Sequence, residues 1–396
     1  MKYVGDGGKA MTDTCLLRDA VTHSIDKLTA EGKTAGCAVR VMLRGETVLS
    51  CEFGLSDIGA GTPLRADSVF RLASMTKPIV AVAVLLCEQR GLLSLGDRLS
   101  DHLSEFSHMY IAEYGELRPP LREMTLLDLL SHTAGFGTDV DAAELDAQMT
   151  AADAKCSRDS ALRFCAEYAR LAFDPGSRRA YSPTAAFDLL AAAVERASGR
   201  KFEDFVRDNI FLPLGMHDTS FELTDTMRAR LVAMHDRKDG RAVTQQTENI
   251  FTGHPLSYHC GGAGLVSTAD DYLRFAEMLR IGTVRDTAVL SRSSVLRMCT
   301  PVCVPADAEC PPDEVFGCGV RVTLHDRILP HGCFGWSGAY GTHFWVDPKN
   351  ELVAVLMRNS LYDGGAGSSI ARRFERDVMT ALAHDCTVTP CPYPHT

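Results

Sequence analysis

A serine and a lysine lie three residues apart at the start of a long apolar segment. Ser74 and Lys77 are followed by Pro78 and by the almost uninterrupted apolar run Ile79–Leu86. Such a run predicts a helix that is buried on all sides, and a proline is tolerated only in the first turn of a helix. The helix is therefore predicted to begin near Ser74, with Lys77 on the same face and drawn into the core.

This arrangement could make Ser74 a nucleophile with Lys77 as its base. At a helix start, unsatisfied N–H groups and the helix dipole favour negative charge that develops nearby. A bare S-x-x-K is weak evidence, because about one is expected by chance in a chain of this length. Ser24 and Lys27 repeat the spacing in an amphipathic helix, which is predicted to be solvated surface there. Taken alone, Ser74 could equally be a helix cap beside a snorkelling lysine.

Tyr181 is the best candidate for a third group at this site. An isolated lysine is a poor base unless burial or a second cation lowers its pKa, so a further partner is expected. Tyr181 follows the turn Asp174–Gly176 and precedes Pro183 and an apolar helix over 184–193. Its side chain is predicted to project from a loop into a cleft. A core tyrosine with a satisfied hydroxyl would also explain this spacing.

Composition and charge exclude several classes of partner. The 396 residues are 45% hydrophobic and carry a net charge of −10 without a basic run, so neither nucleic acid nor an anionic membrane is the expected partner. Met1–Thr14 has no apolar core of a secretory signal, and no segment approaches the roughly 18 apolar residues of a membrane span. A cytoplasmic location is therefore expected.

The cysteines favour reduced thiols rather than a metal site. The chain has 14 cysteines, scattered through apolar segments without CxxC pairs. Cys299, Cys303 and Cys310 form the best metal candidate, but they lie in a segment of Pro, Asp and Glu. We expect neither a metal nor another cofactor.

The pattern of elements predicts an α+β fold. Strand patterns occur at both ends of the chain, at 37–43, 46–53, 319–324, 341–346 and 352–357, and helical patterns fill the middle. We expect an antiparallel sheet of about five or more strands, flanked by N- and C-terminal helices. The predicted parts are a discontinuous sheet domain (12–64 and 316–385), a mostly helical inserted domain (65–315), a mobile tail (386–396) and pocket-bordering segments (around 140–157 and 236–258).

Five motifs in a fixed order resemble the serine β-lactamase and penicillin-binding-protein superfamily. The similarity is greatest to its class C-like branch with the family VIII carboxylesterases, and it spans about residues 15–385. The motifs are Ser74–Lys77, Leu129–Gly135, Tyr181–Pro183 after Asp174–Gly176, Gly261–Leu265 followed by Ser267–Asp271, and Gly335–Thr342. The β-lactamase/transpeptidase-like fold that this resemblance implies agrees with the predicted sheet and inserted helical domain.

The resemblance implies a role for each matched position. Ser74 would be the acylated nucleophile, and Lys77 and Tyr181 would share and relay its proton. The backbone N–H groups of Ala339 and of Ser74 would form the oxyanion hole. The tripeptide Trp336-Ser337-Gly338 would line the substrate cleft as a strand edge.

Two departures from the family pattern bear on the substrate. Trp336 stands where the β-lactam-hydrolysing and peptidase branches carry Lys or His, which helps to hold a substrate carboxylate. Pro183 stands where those branches tend to have an Asn that contacts the substrate amide. Both changes favour apolar acyl or alcohol groups, and tryptophan-containing members of the family are typically esterases.

The sequence therefore predicts a serine hydrolase that cleaves small carboxylic esters through a covalent acyl-enzyme. The alternatives are an acyltransferase that uses the same site, a β-lactamase or D-amino-acid peptidase, and a non-catalytic binding protein with the same fold. A Ser-His-Asp triad with His132 is disfavoured, because the chain contains no G-x-S-x-G elbow.

Overall fold

The computed structural model describes residues 7–136, 147–149, 151–153, 157–245, 259–284, 287–309 and 312–386. The predicted tail beyond Cys386, most of segment 140–157 and residues 246–258 lie outside this range, as does Cys310. No helix within these residues is long and apolar enough to cross a membrane. The predicted cytoplasmic location and the division into two domains stay predictions.

The strands and helices follow the predicted order along the chain. The strands are β1 (Gly36–Leu43), β2 (Glu46–Asp57), β3 (Thr62–Pro63), β4 (Phe70–Arg71), β5 (Ile111–Glu113), β6 (Glu116–Arg118), β7 (Met234–Lys238), β8 (Arg241–Gln245), β9 (Val266–Ser267), β10 (Thr283–Val284), β11 (Thr287–Ala288), β12 (Glu314–Phe316), β13 (Arg321–Thr323), β14 (Phe334–Ser337), β15 (His343–Asp347) and β16 (Leu352–Met357). Among the described residues, the α-helices of five or more residues are α1 (Gly7–Ala30), α2 (Thr76–Gln89), α3 (Leu126–Leu130), α4 (Arg158–Tyr168), α5 (Ala185–Ser198), α6 (Phe202–Val206), α7 (Ala269–Ile281), α8 (Arg292–Met298) and α9 (Ser369–Cys386).

One antiparallel sheet joins the two ends of the chain. Among the described residues its eight strands lie in the order β12-β13-β14-β15-β16-β1-β2-β3. The two ends of the chain meet where β1 pairs with β16, with Val39 opposite Leu356. The predicted α+β fold, with one sheet built from both ends and a helical middle, is therefore confirmed.

The two faces of the sheet bury different helices, because side chains alternate along a strand. In β16, Leu352, Ala354 and Leu356 pack in one cluster with α1 and α9. The intervening residues of β16 pack on the opposite side with α2, α5 and α7. Helix α2 is buried on all sides from Thr76 to Cys87, as its apolar run predicts.

Helix α2 begins near Ser74, as predicted. Ser74 lies in the short 3₁₀ turn Ala73–Met75 and α2 follows directly at Thr76, so Ser74 does not cap the helix. The prediction for Ser24 was wrong: it is not solvated surface but 3% exposed, because it faces α9 and Arg373 Nε donates to its hydroxyl. Lys27 is exposed, as predicted.

Candidate active site

Ser74 is presented by a tight turn between β4 and α2. The preceding residue, Ala73, has a φ of 49°, in the left-handed region that is costly for a residue with a Cβ. The strand before it is held by the Asn359 side chain, which accepts from the Arg71 N–H at 2.9 Å and donates to the Arg71 carbonyl at 3.0 Å. These contacts hold the strained turn in place.

Of the three residues predicted to act together, Tyr181 and Lys77 each lie within hydrogen-bonding distance of the Ser74 hydroxyl. Tyr181 Oη lies 2.7 Å from Ser74 Oγ, and Lys77 Nζ lies 3.2 Å from the same oxygen. Ser74 is 5% exposed and Lys77 is fully buried, whereas Tyr181 is half-buried. A proton that leaves the Ser74 hydroxyl therefore has two acceptor groups within reach.

Two backbone carbonyls orient the amine of Lys77. Nζ donates to the Pro183 carbonyl at 2.5 Å and to the Gly262 carbonyl at 2.8 Å. A neutral amine satisfies both carbonyls with its two N–H bonds and points its lone pair at the Ser74 hydroxyl. A charged ammonium donates its third N–H to the same oxygen. The three contacts of Nζ are therefore compatible with either protonation state of Lys77.

The carbonyl of Gly262 is itself held by close packing and by a buried carboxylate. A Cβ at Gly262 would lie 2.6 Å from the Cα of Thr184, so only glycine lets this loop lie flat on the start of α5. The neighbouring Gly261 N–H donates to Asp188 Oδ1 at 2.5 Å, and Asp188 is 6% exposed. The predicted motif at Gly261 did not reveal this contact with the lysine, although its paired glycines were the signal of a close backbone approach.

The loop after β14 packs against the nucleophile turn. The Gly338 N–H donates to the Thr342 carbonyl at 2.7 Å, and the Thr342 hydroxyl donates to the Leu72 carbonyl at 2.8 Å. A Cβ at Gly338 would collide with the carbonyl of Leu72, which explains the glycine there. Ala339, next in the chain, is exposed. An oxyanion hole formed by the N–H groups of Ala339 and Ser74 stays a prediction.

Aromatic rings surround the Tyr181 side chain. The Trp336 ring lies 5.4 Å from that of Tyr181 and 4.9 Å from that of Phe316, between ring centroids. Trp336 is 7% exposed, and Phe316 is half-buried. Sequence reasoning identified Trp336 but missed Phe316, which lies on the edge strand β12. This side of the site is an aromatic wall.

The side chain of Ser337 lies on the other face of the sheet. Its hydroxyl is 2.8 Å from His343 Nδ1 on β15, and His343 Nε2 lies 3.1 Å from Oε1 of Glu375 on α9. Because neighbouring side chains of a strand point to opposite faces, Trp336 and Ser337 cannot both face Ser74. The structure therefore does not bring the Ser337 hydroxyl to Ser74, so a substrate contact at this position would have to come from its backbone.

Glu375 provides a prediction about stability. Burial raises its pKa, but contact with His343 and the charges of His343, Arg372 and Arg321 outweigh burial and bring the pKa to about 2, against 4.5 ordinarily. The stabilisation from this lowered pKa is complete above pH 4.5 and is lost as the pH falls toward 2. We expect Glu375→Gln to lower the free energy of unfolding at pH 7 by about 3 kcal/mol, because buried cations lose their counter-charge.

Denaturant unfolding measured from pH 7 down to pH 3 checks this prediction. The difference between wild type and Glu375→Gln should shrink below pH 4.5. Glu116→Gln, at an exposed carboxylate, is the matched control and should change little at any pH. An equal loss of stability in Glu375→Gln at pH 7 and pH 3 would contradict the assigned charge interaction.

The metal candidate gains no support from the described part of the chain. Cys299 and Cys303 are free thiols there, and Cys310 lies outside the described residues. No group of three or more His, Cys, Asp or Glu among the described residues is arranged to hold a metal ion.

Comparisons with known proteins agree with this fold. The model of the family named Beta-lactamase matches residues 21–375. Esterase EstB of Burkholderia gladioli is 32% identical, over 90% of this chain and 93% of EstB. Penicillin-binding protein 4 of Amycolatopsis lactamdurans is 28% identical, over 90% of this chain and 88% of that protein. The solved structure of EstCE1, described as a hydrolase with promiscuous acyltransferase activity, matches with a TM-score of 0.78 and 24% identity, over 92% of this chain and 99% of EstCE1. The chain belongs to the Beta-lactamase family.

Proposed function

We propose that this chain hydrolyses small carboxylic esters through a covalent acyl-enzyme on Ser74. The observation that carries this proposal is the position of Ser74 Oγ, 2.7 Å from Tyr181 Oη and 3.2 Å from Lys77 Nζ. The family and the similarity to esterase EstB over nearly the whole of both chains support a serine hydrolase.

The reaction proceeds in two steps at one oxygen atom. Ser74 Oγ bonds to the ester carbonyl carbon while its proton passes to the Tyr181–Lys77 pair. The backbone N–H groups of Ser74 and Ala339 donate to the resulting oxyanion. Collapse breaks the bond to the alcohol oxygen, which takes the proton from the pair. Water then attacks the acyl carbon and gives a proton to the same pair. The bond between this carbon and Ser74 Oγ breaks, Oγ takes the proton back from the pair, and the acid is released.

The aromatic wall favours an apolar substrate. Trp336 occupies the position that carries a cation in the resembling β-lactamase and peptidase branches, and it contacts Tyr181 and Phe316 rather than a charged group. An indole ring offers no positive charge to a substrate carboxylate. The similarity to penicillin-binding protein 4 keeps a peptidase or β-lactamase under consideration, but the residues at the cleft support an ester with apolar acyl or alcohol groups.

Acyl transfer to an alcohol is the second candidate. It needs the same acyl-enzyme, with an alcohol in place of water in the second step. The description of EstCE1 as a hydrolase with promiscuous acyltransferase activity favours testing it. The two reactions differ only in which nucleophile reaches the acyl-enzyme.

A substrate panel tests these proposals. With p-nitrophenyl acetate and butyrate, we expect turnover with a rapid initial release of one p-nitrophenol per active site. Nitrocefin should be turned over about 100-fold or more slowly, because a buried carboxylate without a cationic partner is unfavourable. Added short alcohols should yield some transfer ester if the second candidate is correct. Nitrocefin turnover as fast as ester turnover would contradict the proposed substrate class.

A further inference from the structure

We infer that His132 is a positioning residue that holds Tyr181 against Ser74. The inference rests on the proposed function and adds a role for a histidine that the acyl-transfer steps do not use. His132 is 2% exposed and has a φ of 59°, just after the end of α3. A positive φ is unfavourable for a residue with a Cβ. The packing around His132, rather than its own conformational preference, therefore holds the residue in this conformation.

His132 binds the chain on both sides of Tyr181. Its backbone carbonyl accepts from the Ala180 N–H at 2.9 Å, and its ring nitrogen Nδ1 accepts from the Ser182 N–H at 3.1 Å. The ring itself lies 4.7 Å from the Tyr181 ring, between centroids. The residues before and after Tyr181 and its ring are therefore all in contact with one histidine.

The segment that carries His132 is well anchored. Next to it, the Thr133 carbonyl accepts from the Gly176 N–H at 2.8 Å, which fixes the start of the loop that leads to Tyr181. The Thr133 hydroxyl lies 3.2 Å from Asp128 Oδ1, and Arg122 pairs with both oxygens of Asp128. The loop that leads to Tyr181 is therefore bound to a segment whose own side chains, Thr133, Asp128 and Arg122, hold one another by hydrogen bonds and an ion pair.

Hydrogen bonding defines the protonation state of His132. Because Nδ1 accepts a hydrogen bond, the neutral ring carries its proton on Nε2. Burial, with the nearby charges of Lys77 and Arg179, lowers the pKa of His132 well below its usual range, so the ring stays neutral. The single acceptor site of a neutral imidazole is then used by Ser182. His132 therefore cannot also take the proton of Ser74, and its effect on the reaction passes through Tyr181.

Substitution of His132 by alanine, glutamine or asparagine tests the hydrogen bond that its Nδ1 accepts from Ser182. Asparagine places its Oδ1 near the position of Nδ1 and tolerates a positive φ, whereas the amide oxygen of glutamine lies about one bond farther out. We expect His132→Ala and His132→Gln to lower kcat about 100-fold with KM nearly unchanged, because a small misplacement of a catalytic group has this effect. His132→Asn should stay within about tenfold of wild type.

The decisive measurement repeats His132→Ala in a Tyr181→Phe background. If His132 acts through the Tyr181 hydroxyl, adding His132→Ala to Tyr181→Phe should reduce kcat by less than about threefold, because the hydroxyl is already absent. The same loss of about 100-fold in both backgrounds, with folded protein by thermal melting, would overturn the inference. If His132→Ala does not fold, the ratio of His132→Asn to His132→Gln in the two backgrounds provides the same comparison.

A separate readout distinguishes this inference from the proposed function. The rate at which a fluorophosphonate labels Ser74 depends on activation of the nucleophile but needs no physiological ester. If wild type labels at Ser74 yet hydrolyses no ester, the proposed function fails, and the same cycle measured on labelling rates still tests the role of His132. Equal labelling rates in wild type and His132→Ala would overturn the inference.

Discussion

Ser74→Ala is expected to reduce ester hydrolysis about 10⁴-fold or more, because the proposed acyl-enzyme cannot form without the hydroxyl. The substitution removes one oxygen that lies at the end of two hydrogen bonds, from Tyr181 and Lys77. The free energy of unfolding should change little, since the surrounding side chains keep their packing. Initial rates with p-nitrophenyl butyrate, together with mass spectrometry for the trapped acyl group, measure the effect.

Ser24→Ala is the matched control for this variant. Ser24 has the same spacing to a lysine, but it lies between α1 and α9 on the opposite side of the sheet from α2. Its loss should leave kcat unchanged even if the melting temperature falls slightly. Retention of more than a few per cent of activity in Ser74→Ala would contradict the assignment of the nucleophile.

Lys77→Met is expected to lower kcat about 10³-fold, in the middle of the range for loss of a general base. The substitution also leaves the Pro183 and Gly262 carbonyls without their donor, so a lower melting temperature is expected as well. Lys77→Arg separates the two effects. Arginine keeps N–H donors for both carbonyls but stays charged and cannot accept a proton.

Both variants at Lys77 should therefore lose about 10³-fold in kcat, and Lys77→Arg should be the more stable of the two. Lys27→Met, in the other S-x-x-K pattern, replaces an exposed lysine and should behave as wild type. Steady-state kinetics and thermal melting of the three variants check the prediction. Near-normal turnover by Lys77→Arg would show that the lysine supplies only charge or hydrogen bonds and that Tyr181 alone takes the proton.

Local patterns predicted the elements of the fold well. The apolar run after Ser74 predicted a fully buried helix, and residues 76–87 are all buried. The strand patterns at both ends predicted a shared antiparallel sheet, and the two ends do pair in it, with Val39 of β1 opposite Leu356 of β16. These features depend on the periods of the helix and strand, which any sequence displays directly.

Sequence patterns were less informative about the exposure and direction of individual side chains, which depend on neighbouring elements. Ser24 was expected at the surface because α1 is amphipathic, but Arg373 of α9 covers it. Ser337 was expected in the cleft, although the strand period alone places it opposite Trp336. The burial of Ser24 could be known only from a distant helix, whereas the direction of the Ser337 side chain follows from the strand period.

The sequence by itself determined the chemical groups available and the local spacing of Ser74 and Lys77, because residues three apart on one helical turn must be neighbours. Only the tertiary structure decided which distant groups meet them. Tyr181 and the carbonyls of Pro183 and Gly262 reach the pair from loops more than a hundred residues away along the chain. Such contacts depend on how whole helices and loops pack against the sheet, which no local period encodes.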